Sequence, residues 1–173
     1  MGRLLVASAI ALFILAIAGA APRDSAPGKT APRAPATDVQ PVPFSHKIHA
    51  GDARIGCLMC HAYAEHSPTA GIPSMARCAG CHRFIDKNKP DIQRVMTAFR
   101  KGEPLLWNRI YGLQDFVFFT HAQHVAAGLA CQTCHGAVET MDVLTQASPL
   151  TMGWCVDCHR ARGVNTVCVL CHK

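Results

Sequence analysis

The sequence predicts a mainly α-helical fold with much irregular chain, built from two repeated modules and one further C-terminal motif. Three observations predict it. Five copies of Cys-x-x-Cys-His occur, at Cys57/Cys60/His61, Cys78/Cys81/His82, Cys131/Cys134/His135, Cys155/Cys158/His159 and Cys168/Cys171/His172, and they use all ten cysteines. A Phe-Ser/Thr-His-x-x-His element occurs twice, at 44–49 and 119–124. One segment, 90–101, carries a helical apolar period, and no stretch alternates well enough to predict a sheet.

The elements follow in chain order. Arg3 precedes an uncharged apolar run, residues 4–21, that ends in small residues. It reads as an export signal cut after Ala20 or as an N-terminal membrane anchor, since about 18 residues is the lower limit for a span. Both readings place the rest outside the cytoplasm, in the bacterial periplasm. Residues 22–43 hold six of the eleven prolines and predict an extended, flexible linker. A tether is useful when its end is fixed, which favours the anchor. The remaining domain, 44–173, begins with the first His-x-x-His element and two cysteine motifs. A helix follows: Pro90-Asp91 can start it, Ile92, Val95, Met96 and Phe99 form its stripe, and Lys101-Gly102 can stop it. The second His-x-x-His element then opens the second module. The second motifs of the modules also match, as Met75-Ala-Arg-Cys78 and Met152-Gly-Trp-Cys155, each ending in His-Arg. A motif at Cys168 completes the chain. Such self-similarity signals duplicated architecture.

Cys-x-x-Cys-His is the attachment signature of c-type haem: two thioethers hold the porphyrin and the adjacent imidazole binds the iron. Three other readings fail. A disulfide scaffold gives no reason for a histidine after each pair. Structural zinc takes its cysteine knuckles in pairs, and five leaves one over. A thioredoxin-like dithiol appears once, beside a βαβ pattern. Five covalently bound haem c groups are therefore expected, with His61, His82, His135, His159 and His172 as proximal ligands. Five further histidines remain, His46, His49, His66, His121 and His124. They match in number the distal ligands that five six-coordinate irons need.

A saturated ligand set leaves no iron open to a substrate, so the expectation is electron transfer and not an enzyme. A multihaem nitrite or hydroxylamine oxidoreductase needs an open iron, and the chain has no Cys-x-x-Cys-Lys motif. The formal charge of +6 does not argue for nucleic acid, because each haem adds two propionates. One basic stretch remains: Arg77, Arg83, Lys87, Lys89, Arg94, Arg100 and Lys101, against Asp86 and Asp91. A solvated face is the simpler reading of it, ahead of a dock for an acidic partner. With so little chain per haem, the porphyrins must form much of the core, and apo-protein is expected to be unfolded. Trp107, Trp154, Phe116, Phe118 and Phe119 are expected to pack against them.

At these motifs the sequence resembles the multihaem cytochrome c7/c3 group, and more narrowly the pentahaem subunit of bacterial alternative complex III. The residues that carry the resemblance are 44–51 (FSHKIHAG), 70–73 (AGIP), 102–107 (GEPLLW), 115–121 (DFVFFTH) and 152–155 (MGWC). It implies a membrane-associated, periplasm-facing subunit of a quinol-oxidising respiratory complex. Such a subunit exchanges electrons with other redox proteins, iron–sulfur or cytochrome c donors and acceptors. It also implies that His46 faces the haem at His61 and His121 the haem at His135. His49 and His124 then serve other haems, with those at His82 and His159 as candidates, and His66 is left for His172. Two departures stand out. Similar proteins often have His in place of Tyr111 and often lack one at His66. Either a ligand has moved or one haem is His/Met, with Met75, Met141 or Met152 as the sulfur. The other reading of the chain is a free-standing tethered or soluble electron shuttle, which the long linker favours.

Overall fold

The computed structural model describes residues 40–172. The leader or anchor at 1–21 and most of the linker at 22–43 lie outside the described residues. Among the described residues no helix is long and apolar enough to cross a membrane.

The expected character of the fold is what the structure has. Six short helices punctuate irregular chain: α1 (Cys57–Cys60), α2 (Met75–His82), α3 (Pro90–Lys101), α4 (His121–Ala126), α5 (Gln132–His135) and α6 (Met152–Ala161). Single turns of π- or 3-10-helix cover Lys47–Asp52, Ala62–Glu65, Val138–Thr140 and Cys168–Leu170. No strand forms among the described residues, and one antiparallel bridge joins Val117 to His172. Every cysteine motif therefore lies on or against a helical turn, which puts its two thiols and its imidazole on neighbouring positions.

The longest helix, α3, has the bounds its sequence predicts. Pro90 occupies the first turn, where its missing N–H costs nothing. Gly102 adopts φ 69°, and the amides of Gly102 and Glu103 bond back to Phe99 and Ala98 in a Schellman closure. Its buried residues are Val95 and Ala98, and the helix packs against α2, the helix that carries the second cysteine motif. Phe99, expected within the stripe, is 41% exposed.

The last four residues of the expected linker, 40–43, are described. Gln40 pairs its side-chain amide with the backbone of Asn108 in both directions, at 3.1 and 3.0 Å, and Val42 is buried. Residues 40–43 thus belong to the folded part, because a side-chain amide can mimic a strand partner that composition does not reveal.

The two modules cross reciprocally. The turn at Lys47–Asp52 packs on the turn at Val138–Thr140, just after the third motif, with the Lys47 amide donating to Met141 at 3.0 Å. Ser45 and Lys47 also reach Asp142 from that side. Conversely, α4 packs on Ala62–Glu65, just after the first motif, and the amides of His121 and Ala122 donate to Pro68 and Ser67. Each His-x-x-His element is thereby held by the other module. Gly51 sits at the tightest point, where an added Cβ would overlap the carbonyl oxygen of Glu139. A backbone oxygen cannot swing aside, so Gly51→Ala should cost about 1–3 kcal/mol. The check is a lowered midpoint in thermal or denaturant unfolding of the holoprotein, and an unmoved midpoint would mean that this crossing does not carry the fold.

Candidate functional site

Four spare histidines are brought opposite four motif histidines. Ring centroids are 6.5 Å apart for His46 and His61, and 5.9 Å for His49 and His82. They are 6.2 Å apart for His121 and His135, and 6.1 Å for His124 and His159. A metal–imidazole bond is about 2 Å and the ring centre lies about 1.1 Å behind its nitrogen, so one iron shared by two rings needs centroids roughly 6.3 Å apart. All four separations fit that value. The rings of His121 and His135 are within 6° of parallel, and those of His46 and His61 within 13°.

Backbone carbonyls fix which nitrogen is free. A carbonyl can only accept, so an imidazole nitrogen facing one must carry the proton. Nδ1 of His61 donates to Gly71 at 2.7 Å, and Nδ1 of His121 to Pro68 at 2.8 Å. His49 and His124 donate to Ser45 and Thr120, each at 2.8 Å, and Nδ1 of His82 lies 3.3 Å from the Ile85 carbonyl. Nε2 is left as the lone pair in each, which is the tautomer a metal ligand needs. Gly71 holds φ 72° to aim its carbonyl at His61, and a Cβ there would meet the Tyr63 ring. His46 differs: its Nδ1 is buried without a hydrogen-bond partner.

Aromatic rings set the distal pairs. Phe44 lies edge-on to His46 and stacks on His49, at 4.9 and 4.4 Å. Phe119 does the same to His121 and His124, at 4.8 Å each. The geometry of the element repeats along with its sequence. Phe119 thus packs imidazoles, a role the sequence assigned to porphyrin contact, and Phe44 had no assigned role at all. The signal was available, since a phenylalanine precedes both His-x-x-His pairs at the same spacing. Tyr111 stands 4.5 Å from the His135 ring and its hydroxyl faces the carbonyls of His135 and Thr145. It buttresses a motif histidine.

His66 is exposed, and no ring contact links it to His172 among the described residues. The ring beside His172 is Phe116, at 5.8 Å. Of the candidate sulfurs, Met152 is 66% exposed and Met141 is half-buried.

The thiols of different motifs act on one another. Burial, with the neighbouring Cys60 thiol, pushes Cys78 up. Burial and the Cys57 thiol, which is hydrogen-bonded to it, raise Cys131. Burial, then Cys158 and Cys155, raise Cys134, and burial, then Cys171, raise Cys155. Thiols of different motifs therefore lie near one another: Cys60 by Cys78, Cys57 by Cys131, Cys158 by Cys134 and Cys171 by Cys155. Burial, then the adjacent His61, lowers His46, and burial, then His121, lowers His135, which favours their neutral forms. None of the cysteines is in a disulfide.

The polypeptide does not enclose the expected anchoring thiols evenly. Cys57, Cys81, Cys131 and Cys168 are exposed, while the other six cysteines are half-buried. Cys81 shows the physical reason. It follows the buried Ala79 by two residues of α2, about 200° around the helix, so it points nearly opposite the one residue that α2 buries. Cys78, one turn earlier, is half-buried beside Cys60. A chain this short cannot wrap both sulfurs of every motif, and a thiol meant for a thioether has to stay reachable from outside the fold.

The family model for cytochrome c7 and related cytochrome c matches residues 117–173, and that for the class III cytochrome C family matches residues 22–108. A relative in Nitratidesulfovibrio vulgaris (Hildenborough), the multiheme cytochrome c subunit of menaquinone reductase, is 35% identical over 162 residues. The match covers 78% of this chain and 77% of that protein.

Proposed function

The chain belongs to the class III family of multihaem c-type cytochromes, and from that premise we propose that it is the periplasm-facing pentahaem subunit of a membrane complex that exchanges electrons with quinone. Electron transfer through covalent haem c is the property of the family. The count of five, the ligand pairs and the complex are our reading. What carries it is the set of four imidazole pairs at the separation one iron requires.

Haem supplies one-electron chemistry when bound. The cysteines of each motif would anchor it, and the four spare histidines would close its distal side. Backbone carbonyls hold the imidazoles in the ligating tautomer. Phe44 and Phe119 pack on both rings of each distal pair. On this reading the chain carries electrons and is not an enzyme.

Two directions of flow are open to such a subunit. The relative's name favours quinone reduction. The resemblance to alternative complex III favours quinol oxidation. The test is gentle solubilisation of native membranes, a native gel and a haem stain. A haem band in a large assembly that still carries residues 1–21 is the expected result. A species of monomer size starting at Ala21 would make the protein a free shuttle. Within the assembly, a menaquinone analogue should reoxidise the reduced haems if quinone is the acceptor. Under the opposite direction a menaquinol analogue reduces them.

A further inference from the structure

The two His-x-x-His elements repeat each other closely and part at one hydrogen bond. In both, the residue after the first histidine donates its amide across to the other module: Lys47 to Met141 at 3.0 Å, and Ala122 to Ser67 at 3.2 Å. His121 adds to this. Its amide and its Nδ1 both donate to Pro68, at 3.3 and 2.8 Å. His49 and His124 find local carbonyls, Ser45 and Thr120. Nδ1 of His46 is buried and has no hydrogen-bond partner. Buried polar groups are nearly always paired, so this exception among the four distal histidines needs a cause.

The cause lies at Pro68, seven residues after His61, and at Asp142, seven residues after His135. Proline offers only its carbonyl as an acceptor, so the element that crosses it bonds backbone. Aspartate offers a carboxylate as well. The Ser45 hydroxyl donates to that carboxylate at 2.9 Å, and the Lys47 ammonium lies 3.6 Å from it. Asp142 thus meets the first element through its side chain. His46 is left without the carbonyl that its counterpart His121 has. If His46 ligates through Nε2, its proton sits on Nδ1, and that N–H has no acceptor.

A hydrogen bond from Nδ1 raises the basicity of a metal-bound imidazole, and a more basic imidazole favours ferric over ferrous iron. On the multihaem reading above, we propose that His46 sets the potential of the haem it shares with His61. Lacking the bond, it donates less to ferric iron than His121 does. The potential therefore lies above the value that a carbonyl-bonded ring would give. His61 keeps its own bond to Gly71 at 2.7 Å, so the effect comes from the distal side alone. Asp142 acts through His46 and is a positioning residue. Two modules of like sequence thereby hold distal ligands of unlike strength.

The test uses the full holoprotein as His46→Gly and as His121→Gly, with 4-methylimidazole and 1-methylimidazole as added ligands. With the methyl group in the place of Cβ, the first puts an N–H at the Nδ1 position and the second a C–H. The two are otherwise alike in shape, so a purely structural role would not separate them. In His121→Gly, 4-methylimidazole should bind the ferric haem about tenfold more tightly. That factor, on the ferric state alone, lowers the potential by about 59 mV relative to 1-methylimidazole. In His46→Gly the two ligands should bind equally and give the same potential. An equal preference for 4-methylimidazole in both variants would overturn the proposal, and would mean that a propionate or water accepts the His46 proton. A His46→Gly protein that stays low-spin without added ligand would remove the ligand reading itself, and the proposal with it. A second measurement needs no variant. In the fully reduced, diamagnetic protein the Nδ1 proton of His46 should resonate upfield of that of His121, and the reverse order would overturn the proposal.

Discussion

His121→Ala is expected to turn one low-spin haem high-spin while leaving every covalent haem in place. The imidazole it removes lies 6.2 Å from His135 and within 6° of parallel to it, and no other described imidazole stands opposite that ring. His61, the nearest other motif histidine acting on His135, faces its own partner, His46. The variant should bind one more equivalent of carbon monoxide per chain than the unsubstituted protein. Added imidazole should restore the low-spin spectrum, because the cavity left by the side chain has the size of the missing ring. Its potential should rise, since a nitrogen donor that stabilises ferric iron is gone. An unaltered spectrum with no extra carbon monoxide bound would remove His121 from the ligand set.

The second large effect concerns folding. Produced without haem attachment, the chain is expected to be unfolded: no fixed tertiary signal and rapid proteolysis. The described residues bury five hydrophobic side chains, Val42, Ala64, Ala79, Val95 and Ala98. Three of these are alanines, whose burial contributes least. Such a core does not offset the conformational entropy of ordering the domain, so the rest must come from porphyrin faces and iron–histidine bonds. Circular dichroism and limited proteolysis of apo-protein and holoprotein decide it. A cooperative, protease-resistant apo-protein would mean that the polypeptide carries its own core.

Much of this could be read from the chain, because the informative signals were local. A cysteine motif is a three-residue statement, and α3 declares its start, stripe and stop within a dozen residues. The His-x-x-His elements were legible as repeats, and the rings they bring opposite His61 and His135 are those the resemblance implied. What stayed hidden depends on contacts between distant segments. The reciprocal crossing rests on backbone bonds from Lys47 to Met141 and from His121 to Pro68, and no periodicity encodes them. The motif spacing likewise said nothing of which sulfur faces outward, since the exposure of Cys81 depends on which side of α2 is buried. His66 was matched to His172 by counting histidines against irons. His66 is exposed, just after the turn at Ala62–Glu65, and its match to His172 is a proposal. Tyr111 read as a missing histidine, and in the fold it braces His135 through ring contact and its hydroxyl.

The central claim is that every Cys-x-x-Cys-His motif holds a haem. The intact mass of the denatured, purified protein tests it most directly, since only covalently bound haem survives denaturation. The account predicts a mass equal to the polypeptide plus five haems, with each motif peptide carrying one after digestion. A mass with four haems or fewer, or a motif peptide recovered with free thiols, would contradict it.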